Sequence, residues 1–161
     1  MNGELLKNIF QPIIGEPAWL VRLGHGSFLT FEFGRAGIRR IEPTTRKKRR
    51  SISVQGEWHL WIYCCRWHVL DNAALLASSN SDQSQMSRAA HFLDGQILRS
   101  VSYIPDTMRC RFEFDLGGVL ETWLNTDDPA EQWLLYHNQD DVWILNAANE
   151  LEAAPYDEKT N

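Results

Sequence analysis

Fifteen consecutive residues, GEWHLWIYCCRWHVL (56–70), constrain this chain more than any other segment. The segment 57–69 reads as one long strand, rich in aromatic and β-branched side chains. Successive strand side chains point to opposite faces. Trp58, Leu60, Ile62, Cys64, Arg66 and His68 then share one face, and His59, Trp61, Tyr63, Cys65, Trp67 and Val69 share the other. Both faces are largely apolar, and such a strand needs cover on both sides. The expected place for it is the middle of a sandwich or a rolled-up sheet.

The rest of the chain fits that frame. Strands are expected at 18–23, 27–33, 38–42, 96–104, 109–115, 119–124, 131–138 and 142–146, separated by GHG, PDTM, DLGG, TDDP and NQDD turns. With 57–69 this makes about nine strands. SNSDQSQMSRAAHFLDG predicts the one clear helix, over 82–93, with Asp82 capping, Met86, Ala89, Ala90 and Leu93 on one face, and Gly95 beyond the end. A short amphipathic helix is expected at 3–10, stopped by Pro12. The expectation is a mostly β, single-domain antiparallel sandwich or rolled sheet over 1–149, followed by a frayed acidic tail at 150–161.

Two segments resemble each other at an offset of 81 residues. FLTFEFGRAGIRR (28–40) and RCRFEFDLGGVLE (109–121) both carry Phe-Glu-Phe, with Gly37 and Gly118 at matching positions. Each precedes an aromatic strand opened by Glu, EWHLWIY from Glu57 and EQWLLY from Glu131. Half-repeats at 17–70 and 96–146, joined by the helix, would explain the pattern. Chance likeness of strand-turn-strand units is the competing explanation.

The chain of 161 residues is 43% hydrophobic and 23% charged, as expected of a globular domain with a core of its own. No apolar run approaches the ~20 residues of a membrane helix, and no secretory signal opens the chain. Cys64, Cys65 and Cys110 are an odd number, two of them adjacent, which is a poor disulfide framework. Together these point to the reducing cytoplasm. The net charge of −5 is uneven, because Arg46, Lys47, Lys48, Arg49 and Arg50 form one basic block. The remainder has 11 basic against 21 acidic residues, a surface that fits a basic protein partner better than a nucleic acid. The block itself reads as a mobile, solvated loop.

Chemistry has no anchor in these residues. Nucleophile elbows, phosphate loops, H-E-x-x-H and C-x-x-C spacings do not occur, so neither a catalytic residue nor a metal or cofactor is assigned. Glu57 and His59 are the only i, i+2 ligand pair in the long strand, short of the four ligands a zinc site takes. His25, held in Gly-His-Gly, is either an exposed base or a turn residue. Trp61, Tyr63 and Trp67 serve either as core or as the wall of a ligand or partner site, since Trp and Tyr carry polar handles.

The blocks LGHGSFLTFEFG, GEWHLWIYCCRWHVL and FEFDLGGVLETW followed by EQWLLY resemble a family of small bacterial proteins that carry them in the same order. The likeness runs from Pro17 to Asn146. The family has no established activity, so the resemblance implies no catalytic residues. Small acidic, Trp-rich β proteins also resemble, in type, the immunity proteins of bacterial toxin systems, from whose acidic character the basic block departs. The resulting expectation is a non-enzymatic cytoplasmic binding protein of immunity or other interaction type. Its candidate contacts are His25, Glu57, His59, Trp61, Tyr63 and Trp67. The alternative is a small-molecule-binding protein or hydrolase with an aromatic-walled pocket. A homodimer through one Trp-bearing face is a third arrangement.

Overall fold

The computed structural model describes residues 3–43, 49–138 and 141–155. Its elements run α1 (Gly3–Phe10), β1 (Trp19–Leu23), β2 (Leu29–Ile41), β3 (Ser51–Ile62), β4 (Cys65–Asp71), β5 (Ala74–Ser78), α2 (Gln83–Leu93), β6 (Leu98–Ile104), β7 (Arg109–Phe114), β8 (Gly118–Leu124), β9 (Trp133–His137), β10 (Asp141–Leu145) and β11 (Leu151–Pro155). All pairings are antiparallel. They form a six-stranded sheet, β1-β2-β3-β9-β10-β11, and a five-stranded sheet, β5-β4-β8-β7-β6. The protein is a mostly β sandwich, with both expected helices where their sequence signals lie. Asp82 Oδ1 accepts from Gln85 N–H at 2.9 Å, and Gly95 follows α2 with φ +88°.

Four strand expectations change. The stretch 57–69 is not one strand: it breaks at Tyr63 and Cys64, with β3 in the larger sheet and β4 in the smaller. Inward positions are Leu60 and Ile62 before the break but Cys65, Trp67 and Val69 after it, so the buried parity switches from even to odd. Neither half therefore needs cover on both faces, which is why both faces of the uninterrupted pattern look apolar. Residues 27–33 and 38–42 merge into β2 through a bulge between Phe33 and Ala36. The segment 74–78 adds β5, and 151–155, expected to fray, pairs with β10 as β11. The residues beyond 155 and the first three of the basic block, 46–48, lie outside the described residues.

The two halves of the chain follow one order: helix, three-stranded meander, then strands that cross to join the other half's meander. Strand β4 leaves the first meander to pair with β8, and β9 leaves the second to pair with β3. Reciprocal backbone bonds tie the halves together near an isolated Pro17 to Ile97 bridge. Gly15 N–H donates to Leu98 O and Gly95 N–H to Ala18 O, while Leu98 N–H donates to Glu16 O and Ala18 N–H to Gln96 O. Phe31 and Phe112, in the Phe-Glu-Phe segments, occupy matching core positions opposite Leu60 and Leu120. The downstream match differs from the sequence reading: in order along each half β9 corresponds to β4, not to β3, so fully buried Trp133 corresponds to fully buried Trp67. Gly37 and Gly118 are not equivalent either, because β2 runs straight on where Asp115–Gly117 turn the chain into β8.

The core lies between the sheets, and α1 closes one side of it. Phe10 packs edge-on against Phe112 of one sheet and Trp133 of the other, at 5.5 and 5.2 Å between centroids. Phe31 stacks across the sandwich on Phe114. Helix α2 packs against β1 and β5 and buries Met86, Ala89, Ala90 and Leu93.

The bulge depends on two glycines. Gly34 has φ +71°, and a Cβ on Gly56 would stand 2.6 Å from Phe33 O and 2.9 Å from Phe33 N. Backbone cannot yield as a side-chain end would. Gly56→Ala is expected to destabilise by about 2 kcal/mol. Gly37→Ala, whose Cβ meets nothing closer than Gln55 O at 3.7 Å, should stay within about 0.5 kcal/mol. Urea unfolding of both variants tests the difference.

Candidate functional site

Strand alternation and register build two rows across the outer face of the larger sheet. One row runs Arg22, Thr30, Trp61, Leu134, Ile144 and Glu152, the other Trp19, Glu32, His59, Tyr136, Val142 and Ala154. At one end Phe28 and Tyr63 join Trp61 in a cluster of half-buried rings, with centroids 4.6 to 5.9 Å apart. Leu134 and Ile144 continue the apolar strip, also half-buried. Among the described residues no helix packs on this face: α1 lies against β6, and α2 against β1 and β5.

The second row holds a polar centre. The Glu32 carboxylate is buried; Oε1 pairs with His59 Nδ1 at 2.8 Å and Oε2 accepts from Gly56 N–H at 2.8 Å. The bulge puts a buried carboxylate within reach of an otherwise orphaned backbone donor. His59 thereby has its ring fixed through Nδ1 and lines a shallow cleft of about 190 Å³ with Arg35, Arg39, Glu57, Tyr136 and Asn138. Glu57 also approaches His137 Nε2, at 3.8 Å.

The sequence-based candidates therefore divide. His59 and Glu57 meet in the cleft, and Trp61 and Tyr63 in the ring cluster beside it. Trp67 does not belong: it is fully buried, and its indole N–H donates to Ser27 O at 2.6 Å. The crossing at Tyr63 and Cys64 turns it inward. His25 sits exposed on the β1–β2 turn, outside the cleft, where Gly26 takes φ +63°.

The smaller sheet carries an outer-face cluster that the sequence reading missed. Glu121 is buried, accepting from Arg109 at 2.9 Å and Arg111 at 2.5 Å and pairing with His68 Nε2 at 2.8 Å. Arg111 also bonds Glu113, which accepts from Ser100, and Arg109 lies over the Trp123 ring at 4.3 Å. Its signal is the strict alternation of RCRFEF, which sends Arg109, Arg111 and Glu113 outward while Cys110, Phe112 and Phe114 go in. Burial alone would raise the Glu121 carboxyl, but bonds from both arginines and His68 bring it below the ordinary value. Arg111 and Ser100 do the same for Glu113. The cluster is internally satisfied and acts as a cross-strand clamp.

The three cysteines are free thiols, and burial pushes all of them up, Cys110 to about 11. Such thiols are poor nucleophiles at neutral pH. Thr122 and Trp133 beside Cys110 pull it the other way, less strongly than burial pushes. Among the described residues no three His, Cys, Asp or Glu side chains gather as a metal site would need. Nor is any helix long and apolar enough to cross a membrane.

No protein-family model matches the chain, and no curated protein or solved structure matches it significantly.

Two outcomes follow from this geometry. Trp67→Ala should destabilise by about 4 kcal/mol, as a core deletion, whereas Trp61→Ala on the open face should lose about 1 kcal/mol or less. Urea unfolding separates them. Folded Glu113 and Glu121 titrate below their unfolded value of about 4.5, so the stability they contribute is complete above that pH and falls away as acid carries the folded carboxyls through their own titration. Glu121→Gln should lose about 2 kcal/mol at pH 7 and unfold with a shallower acid dependence, read by denaturant titrations between neutral and acid pH.

Proposed function

We propose that this is a non-enzymatic binding protein that engages a protein partner through the outer face of its six-stranded sheet. The observation that carries this reading is the Phe28, Trp61 and Tyr63 cluster, continued by Leu134 and Ile144, on a sheet face that no other described element covers. Rigid aromatic side chains in an apolar strip with polar ends, here Arg22 and Glu152, have the make-up of an interaction surface. The acidic body favours a basic partner. An immunity-type role, in which a small acidic β protein caps a basic toxin, is one such pairing, and three free thiols support a cytoplasmic setting.

The test uses a double variant, Trp61→Ser with Tyr63→Ser, which leaves the core intact. Tagged wild-type protein should retain a partner from lysate of its source that this variant loses, and the purified pair should reassociate at least tenfold more weakly with the variant. Equal capture by both proteins, or none by either, would reject the face.

A second reading rests on a different observation, the Glu32 and His59 pair beside the cleft with Arg35 and Arg39. A histidine oriented by a buried carboxylate and flanked by arginines suits a small anionic ligand. Native mass spectrometry that finds a co-purified small molecule, lost in His59→Ala, would favour it.

A further inference from the structure

Strands β2 and β3 outrun the sandwich. Pairing of β2 with β1 ends at Glu32, and pairing of β3 with β9 ends at Trp58, yet the two continue together from Ala36↔Gly56 to Ile41↔Ser51. Six residue pairs thus form an arm about 17 Å long, with no described strand beside it on either edge. The Gly34 bulge sets its phase. Past the bulge, Ala36, Ile38 and Arg40 face the same side as Gly56, Val54 and Ile52, prolonging the stripe that holds Phe33 and Trp58 inside the sandwich. Beyond the sandwich no described element packs on it, and Ile38 is 78% exposed, Ile52 71% and Val54 50%. An apolar ribbon with two open edges is a template for another strand.

Charge says which strand fits. Residues 35–50 carry eight Arg and Lys against one acidic residue, Glu42, which Arg50 bonds at 3.0 Å. Residues 112–158 carry twelve Asp and Glu and no Arg or Lys at all. Within that acidic third, β11 is the outermost strand of the larger sheet, and no described strand pairs with its far edge. It presents Glu150 beside it and Glu152 within it, with exposed small side chains at Ala153. Two arms cannot face one another without setting like charges together. Nucleic acid or an anionic lipid surface would answer the charge but not pair with the open backbone edges.

We propose that the β2–β3 arm of one molecule docks along the β11 edge of a second copy, its arginines against the acidic C-terminal third and its Ile38, Ile52 and Val54 stripe covered in the contact. This surface meets the aromatic face assigned to a partner above only at Glu152, and either can be wrong without the other.

Light scattering after gel filtration tests it with the full chain. At low salt, about 0.05 M, the mass should rise with concentration to twice that of the single chain or beyond, and the association should weaken at least tenfold at about 0.5 M. Ile38→Thr with Ile52→Thr and Val54→Thr keeps β-compatible side chains and should give a single-chain mass; Glu150→Lys with Glu152→Lys should do the same. The decisive sample is the mixture of these two folded variants. One supplies an intact edge and the other an intact arm, so a heavier species should return. Wild-type protein that stays single at every concentration, or an association that survives in both variants, would overturn the proposal. So would a mixture without rescue, or a mass increase that needs added duplex DNA or anionic vesicles, either of which would assign the arm to that anion instead.

Discussion

The fold hinges on one crossing. At Tyr63 and Cys64 the chain leaves the larger sheet for the smaller, and the break is pinned by Tyr63 N–H to Gln132 O at 2.9 Å and Cys64 N–H to Glu131 O at 3.2 Å. Two residues in the crossing are what let both Ile62 and Cys65 face the core. A single residue more or fewer would turn Trp67 and Val69 out to solvent, because strand side chains alternate. The same crossing places β3 beside β9 and β4 beside β8, so each sheet has its centre built from both halves of the chain. Separate unfolding of one half would strip the inner strand from the other half's meander, which makes the halves interdependent.

Outward positions on both sheets repeat one electrostatic device. A buried glutamate, Glu32 or Glu121, is satisfied by neighbours on adjacent strands: His59 and a backbone N–H in one case, His68 with two arginines in the other. A carboxylate removed from water is tolerable only when its acceptor sites are filled. The two differ in what lies beside them. Around Glu121 the cations are consumed by the clamp itself, whereas Glu32 fixes a histidine that still lines an open cleft. That contrast is why the larger sheet carries the functional reading and the smaller sheet a structural one.

Much of the architecture was legible because it is local. Capping by Asp82, the Met86 to Leu93 face and the terminal Gly95 define α2 within a dozen residues, and the hairpin turns announce most strand ends. The candidate site was half legible. Glu57, His59 and Trp61 alternate along β3 and Tyr63 follows it in the same phase, so their common face could be read. Glu32, 27 residues from His59, could not, because only the register of β2 against β3 brings them together. Trp67 was misplaced for the same kind of reason: no pattern in GEWHLWIYCCRWHVL marks the point where the chain changes sheets.

What the sequence determined by itself was the β character, the two helices, the uneven charge and the demand that an aromatic-rich middle segment be buried. These follow from side-chain size, polarity and short-range spacing, which need no knowledge of distant neighbours. Only the tertiary structure decided which aromatics are core and which are surface, that Ile38, Ile52 and Val54 lie exposed on an arm beyond the sandwich, and that two lone glutamates become buried centres. Each of these depends on strand register and on a two-residue crossing, where a shift of one position inverts every face, so they are properties of pairing between segments and not of any segment alone.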